Sequence, residues 1–89
     1  LTIAQTTAIP DANFEQVLID LGYDTGVPDG DVLTANINTV TYLNIDGKNI
    51  SDLTGIEDFT ALTYLTCLSN QLTSINVTQN TALTTEWQL

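Results

Sequence analysis

Apolar side chains recur along this chain with two different periods. Between Ile9 and Tyr23, Phe14, Val17, Leu18 and Leu21 occupy the i, i+3, i+4 and i+7 positions of one helical face. Asp11 follows Pro10 as a good N-cap and Gly22 is a stop, so the pattern predicts an amphipathic helix of about three turns over 11–21. Glu15, Gln16 and Asp20 fall off the apolar stripe and are expected in solvent. The stretch from Asp24 to Asp31 contains Gly26, Pro28 and Gly30, which is turn chemistry, and it reads as a loop.

From Val40 the chain repeats itself. Val40-Thr-Tyr-Leu43-Asn-Ile45 aligns with Leu62-Thr-Tyr-Leu65-Thr-Cys67 and with Leu83-Thr-Thr-Glu86-Trp-Gln88, at offsets of 22 and 21 residues. That period lies in the leucine-rich-repeat range. The first unit has apolar residues at Val40, Leu43, Ile45, Ile50, Leu53, Ile56 and Phe59; the second has them at Leu62, Leu65, Cys67, Leu72, Ile75 and Val77. The pattern L-x-x-L-x-L-x-x-N-x-L is met in full by the second unit, with Asn70 in the Asn slot. Each unit is expected to supply one short parallel strand with alternate residues inward, then a turn whose apolar residues also point inward. A single unit cannot close a core, whereas stacked units can. The side-chain amide of Asn70 is suited to satisfying backbone groups of the turn that are otherwise buried without partners. Lys48 holds that slot in the first unit and cannot do this from the interior, so irregularity is expected there, with Asn49 substituting.

The predicted fold class is an α/β solenoid of leucine-rich repeats with short parallel strands and an N-terminal helical cap over its open end. The expected division is a signal-peptide remnant at 1–4, a cap at 5–39, and repeats at 40–89 (40–61, 62–82 and a partial 83–89). Leu1-Thr-Ile-Ala-Gln5 reads as the end of an apolar signal-peptide core, with Ala4 at the cleavage position, or alternatively as a frayed N-terminal strand; on the first reading the mature chain starts at Gln5 and is exported. The sequence contains no Met, position 1 included, and is read as a piece of a longer polypeptide. Glu86 and Gln88 stand in slots that want Leu and Leu or Cys; a polar cap, a truncated fragment or a sequence error each account for this, and the fragment is preferred.

Three stretches carry a family resemblance: Ile9-Pro-Asp-Ala-Asn-Phe-Glu-Gln-Val-Leu-Ile-Asp-Leu-Gly22, Asn49-Ile-Ser-Asp-Leu-Thr-Gly55, and the run from Leu65 to Asn80-Thr-Ala. From Thr7 to Thr85 the chain resembles the N-terminal part of secreted leucine-rich-repeat proteins of Bacteroidetes-type bacteria, and 40–61 is similar to the 22-residue internalin-like repeat. The resemblance implies a helical cap followed by a solenoid and export through a signal peptide. It often implies a C-terminal sorting domain for type IX secretion as well, a part this stretch of sequence does not contain.

Composition narrows the chemistry. Of 89 residues, 43 % are apolar and 13 % charged, which is a globular rather than a disordered balance. Eleven acids against one base give a formal charge of −10, which repels phosphate backbones and anionic lipid and argues against nucleic-acid and membrane partners. With no His, one Lys and one Cys, the parts for Ser-His-Asp or Cys-His catalysis and for His-bound zinc are missing. Cys67 sits in a core slot and reads as a packing thiol. Asp24, Asp29 and Asp31 with Gly26 and Gly30 invite a calcium loop, but their spacing departs from the EF-hand pattern, and the acids are read as surface groups. No catalytic residue, metal ligand or cofactor is assigned. Asn49-Ile-Ser51 and Asn76-Val-Thr78 match the N-glycosylation acceptor, which the bacterial resemblance renders idle.

If positions one, four and six of each unit face the core, the alternate residues form an outer, concave face. Parallel stacking then sets Tyr42 beside Tyr64, with Trp87 one rung further on the neighbouring column. Tyr42, Asn44, Asp46, Tyr64, Thr66, Leu68 and Trp87 are the candidate binding residues, because exposed aromatics on a sheet are the usual material of a recognition surface; cross-strand packing and the ordinary β-propensity of Tyr and Thr are the alternative account of the same residues. The function expected is a non-catalytic protein-recognition or adhesion module of an exported bacterial protein, secreted or on the cell surface. Its partners are expected to be a protein or cell-surface ligand and further repeats of its own chain. The alternative is an accessory domain of an exported enzyme whose catalytic part lies beyond Leu89.

Overall fold

Asp11 starts the first helix through its own side chain. Its backbone is extended (φ −84°, ψ 113°), which lets Oδ1 accept the N–H groups of Asn13 at 2.9 Å and Phe14 at 3.2 Å. The computed structural model describes the backbone of residues 4–87 and the side chains of residues 4–85. In chain order it contains β1 (Thr6–Ala8), α1 (Ala12–Asp20), β2 (Asp31–Leu33), α2 (Thr34–Ile37), β3 (Tyr42–Asn44), a 3-10 turn (Ile56–Asp58), β4 (Tyr64–Thr66) and β5 (Thr85–Trp87). The signal-peptide reading of Leu1–Ala4 falls largely on residues outside the described ones, as does the Gln88 slot.

The helix follows the apolar pattern with two corrections. Phe14, Val17 and Leu18 are buried as expected, but Leu21 is 49 % exposed and Glu15 is fully buried. Leu21 lies at the C-cap, where the chain turns off the core before Gly22 (φ 90°). Glu15 stands one residue after Phe14 and three before Leu18, at the border of the stripe, and the 24–31 loop folds over it. Its Oε1 accepts the N–H groups of Asp29 (2.9 Å) and Gly30 (2.8 Å).

The segments flanking the helix form structure that apolar periodicity did not predict. β1 and β2 pair antiparallel, Thr7 opposite Val32, and α2 follows directly. Three-residue strands are too short to show an alternation, so no pattern flagged them. They set Thr7 in the interior, where its Oγ1 lies 2.7 Å from Thr34 Oγ1 and donates to Asp58 Oδ2 at 2.7 Å.

The repeat offsets reappear as strand register. β3 and β4 are parallel with Tyr42 opposite Tyr64, Leu43 opposite Leu65 and Asn44 opposite Thr66; β5 adds Thr85, Glu86 and Trp87 to the same three rows. Leu43, Ile45, Leu62, Leu65 and Cys67 are fully buried and Leu72 nearly so, while Ile75 is only half-buried. Cap and repeats share one apolar cluster in which the rings of Phe14 and Phe59 stack 6.1 Å apart. Gly55 (φ 108°) permits that union: a Cβ there would stand 2.7 Å from the Ala8 carbonyl oxygen and overlap the Ile9 side chain.

Asn70 performs the part its slot implies. Its Nδ2 donates to the carbonyls of Ile45 (2.7 Å) and Cys67 (3.1 Å), and its Oδ1 accepts the N–H groups of Lys48 (2.9 Å) and Ile50 (3.0 Å). Asn49 does not substitute in the first unit. It adopts φ 60°, its Oδ1 accepts from Gln71 Nε2, and its carbonyl accepts from Asn13 of the cap at 2.9 Å. The first unit is served instead from both sides, by Asn70 above and by Asp11 and Asn13 of the cap below. A second asparagine, Asn80, is buried on the return path and donates to the carbonyls of Ile56 (2.8 Å) and Phe59 (3.0 Å).

Candidate functional site

The outer face of the three-stranded sheet is set by alternation. With Leu43 and Leu65 turned inward, the flanking residues of β3 and β4 turn outward in two columns, Tyr42–Tyr64–Thr85 and Asn44–Thr66–Trp87. In the first column the rings of Tyr42 and Tyr64 stack nearly parallel, with centroids 4.7 Å apart and planes at 9°. Tyr42 is 56 % exposed and Tyr64 half-buried. The stacked pair is therefore a preformed apolar shelf edged by two phenol hydroxyls.

The second column is tied down by hydrogen bonds. Asn44 Oδ1 accepts the Asp46 N–H at 3.0 Å, and Asp46 Oδ1 accepts both the Thr66 hydroxyl and the Leu68 N–H at 2.7 Å. Thr66 is consequently buried at 4 % exposure, which corrects the expectation that it faces solvent. Its role is to hold Asp46 in place. Leu68 remains 38 % exposed at the end of β4. Trp87 takes its expected row opposite Thr66, while its side chain lies outside the described residues. Tyr42, Asn44, Tyr64 and Thr66 are thus neighbours on two adjacent strands, with Asp46 and Leu68 just beyond the strand ends.

Known proteins resemble the chain at two levels. No protein-family model matches it. Over 43 residues, 48 % of the chain, it is 44 % identical to Internalin J of Listeria monocytogenes serotype 4b, and it spans 5 % of that protein. The solved functional domain of InlJ from Listeria monocytogenes, which includes a cysteine ladder, matches 93 % of the chain with a TM-score of 0.74 and 32 % identity; the chain covers 19 % of it. An internalin (InlF) from the same species matches 90 % of the chain with a TM-score of 0.78 and 27 % identity, and 24 % of it is covered. The fold is of the leucine-rich-repeat type.

The internalin-like character thus rests on both sequence and structure. The solved CBM51-2 and INT domains of Clostridium perfringens ZmpB share the fold, with a TM-score of 0.78 over 97 % of the chain at 22 % identity and 18 % coverage of that structure. The chain spans a quarter or less of each of these internalins.

Proposed function

We propose that this chain is the capped start of an exported bacterial leucine-rich-repeat solenoid, internalin-like and secreted or displayed at the cell surface, that works as a non-catalytic module for protein recognition or adhesion. The outer face of β3–β5 is its contact surface. The observation that carries this reading is the Tyr42–Tyr64 stack, a pair of aromatic rings held face to face on the outer side of a rigid ladder with one ring more than half exposed. Tyrosines so placed contribute large contact area with little side-chain entropy to lose, and each hydroxyl gives a directional polar contact. The Asn44–Asp46–Thr66–Leu68 hydrogen bonds fix the adjoining polar column, so the surface meets a partner with its shape already set. With a charge of −10, the chain favours a protein or neutral glycan over an anionic polymer.

An array of extracellular proteins and glycans probed with the chain, followed by titration of each hit, tests the proposal. Tyr42→Ala and Tyr64→Ala are each expected to weaken a specific hit at least about tenfold, while Gln79→Ala on the return path leaves it unchanged. Hits indifferent to both tyrosine substitutions, or no saturable hit at all, would overturn it.

A further inference from the structure

The return paths of the two complete repeats do not match in shape. In the first, Gly55 is followed by the 3-10 turn Ile56–Asp58; in the second, one residue shorter, the corresponding stretch has no helical turn. A groove of about 410 Å³ lies between the two paths, lined by residues of 52–57 on one side and of 74–79 on the other. Its floor is apolar: Leu53 and Ile56 are buried, and the groove opens over Ile75, which is left half-buried. Its walls differ in charge. The first repeat contributes the exposed carboxylates of Asp52 and Glu57, whereas the second contributes only uncharged polar groups above Ile75. One oxygen of each carboxylate is used locally. Asp52 Oδ1 accepts the Thr54 N–H (2.8 Å) and hydroxyl (2.6 Å), and Glu57 Oε2 accepts the Gly55 N–H at 2.9 Å. These bonds hold both side chains and leave the second oxygen of each for a ligand. The turn itself does not require the charge at Asp52, because Asn76 Oδ1 makes the same two bonds to Thr78, at 3.1 and 2.7 Å. The chain's one base, Lys48, does not line the groove.

We infer that this groove is the docking site for an arginine side chain of a protein partner. Its hydrocarbon stem covers the apolar floor, and its planar head carries enough N–H donors to reach both carboxylates and the polar oxygens of the facing wall together. Two carboxylates on one wall with no cation beside them attract a positive group, and the chain's charge of −10 adds a long-range pull on a basic partner. Lysine brings the same charge on a point-like ammonium with fewer donors, so it fits less well. A hydrated metal ion leaves the floor uncovered, and the second repeat gives it no carboxylate. The site is independent of the partner surface proposed above, since no residue of β3–β5 lines it.

Titration of the isotope-labelled 89-residue chain with the peptide N-acetyl-Gly-Arg-Gly-amide, followed by backbone amide chemical shifts at low salt, tests it. The expected result is saturable shifts concentrated at 52–57 and 74–79, with a dissociation constant on the order of 1 mM that rises with salt. The citrulline peptide, nearly the same shape without the charge, should bind at least about tenfold more weakly, and the lysine peptide about threefold more weakly. Asp52→Asn and Glu57→Gln should each weaken arginine binding about threefold to fivefold. Both variants keep the oxygen that caps the local turn, so their thermal melts should match the parent, which separates lost binding from lost folding. Asp20→Asn removes the same charge from α1 outside the groove and should leave binding unchanged. Shifts spread evenly over the acids of the chain, equal binding of the citrulline peptide, or an equal loss in Asp20→Asn would reduce the effect to net charge and overturn the inference. So would methyl glucoside moving these resonances where the arginine peptide does not, which would make the groove a sugar site.

Discussion

Asp11 Oδ2 accepts the backbone N–H of Ser51 at 2.9 Å while Oδ1 of the same carboxylate caps α1. Forty residues separate the two, so one side chain both starts the cap helix and docks it on the first repeat. The Asp52 N–H (3.0 Å) and the Ser51 hydroxyl (3.3 Å) share the same oxygen. Replacing Asp11 by Ala should cost about 1–2 kcal/mol, more than a helix cap on an isolated surface helix, because docking contacts go with it.

The same contacts make this junction sensitive to acid. Burial pulls the Asp11 carboxyl up, but the N–H groups of Ser51, Phe14, Asn13 and Asp52 outweigh it and hold the group below its ordinary 3.8. A folded-state value below the unfolded one means the contribution is whole above about 3.8 and is lost as pH falls through the lower, folded value. Melts from neutral to acid pH should show this loss in the parent and a flatter profile in Asp11→Asn, whose amide does not titrate.

Long-period pattern and single-offset polar roles were legible in the sequence; short strands and the fate of a polar residue at the stripe's border were not. The 22- and 21-residue offsets became the pairs Tyr42–Tyr64 and Tyr64–Thr85 because a parallel stack converts repeat length directly into register. Asp11 and Asn70 were legible for a related reason: capping and turn satisfaction need one residue type at one offset. β1 and β2 escaped because their pairing is long-range and each contributes a single buried residue, Thr7 and Val32. Glu15 escaped because a helical stripe has a border. A charged residue there goes in or out according to what the next loop offers, and here the Asp29-Gly30 turn offers two N–H donors.

Gly55→Ala tests the closeness of cap and repeat. The backbone there is at φ 108°, and the added methyl would press on the Ala8 carbonyl and the Ile9 side chain. The expected loss is about 2–3 kcal/mol, combining backbone strain with overpacking. Chemical denaturation against the parent measures it. A loss equal to that of Gly26→Ala, where φ is also positive (80°) but the space is open, would show that strain acts alone.

Burial along the repeat should grade the cost of truncation. Leu65 is fully enclosed between β3 and β5, and Leu65→Ala should lose about 2–5 kcal/mol, enough to unfold a marginal domain. Ile75 is half-buried at the edge of the same cluster, so Ile75→Ala should lose clearly less. Parallel urea titrations decide it, and equal losses would contradict the burial described above.

Asn70 offers the sharpest test of how the two repeats are joined. Its amide serves two N–H donors and three carbonyls, those of Ile45, Cys67 and Leu68, at the strand-to-turn corner, and part of that set is withdrawn from water. Asn70→Ala removes these hydrogen bonds and should cost about 3 kcal/mol. Asn70→Asp separates the two halves of the amide. One carboxylate oxygen still accepts from Lys48 and Ile50, but the other meets the carbonyl oxygens of Ile45 and Cys67, which repel it. The new carboxyl should therefore titrate above an unfolded aspartate, so its destabilisation is full above the folded value and fades as pH falls toward about 4, where a protonated oxygen can donate to Ile45. Measured as a difference from the parent at each pH, the Asn70→Asp deficit should shrink in acid while the Asn70→Ala deficit stays constant. A pH-independent Asp deficit would mean that the carbonyls of Ile45 and Cys67 do not depend on this side chain, and that strand pairing alone holds the repeats in register.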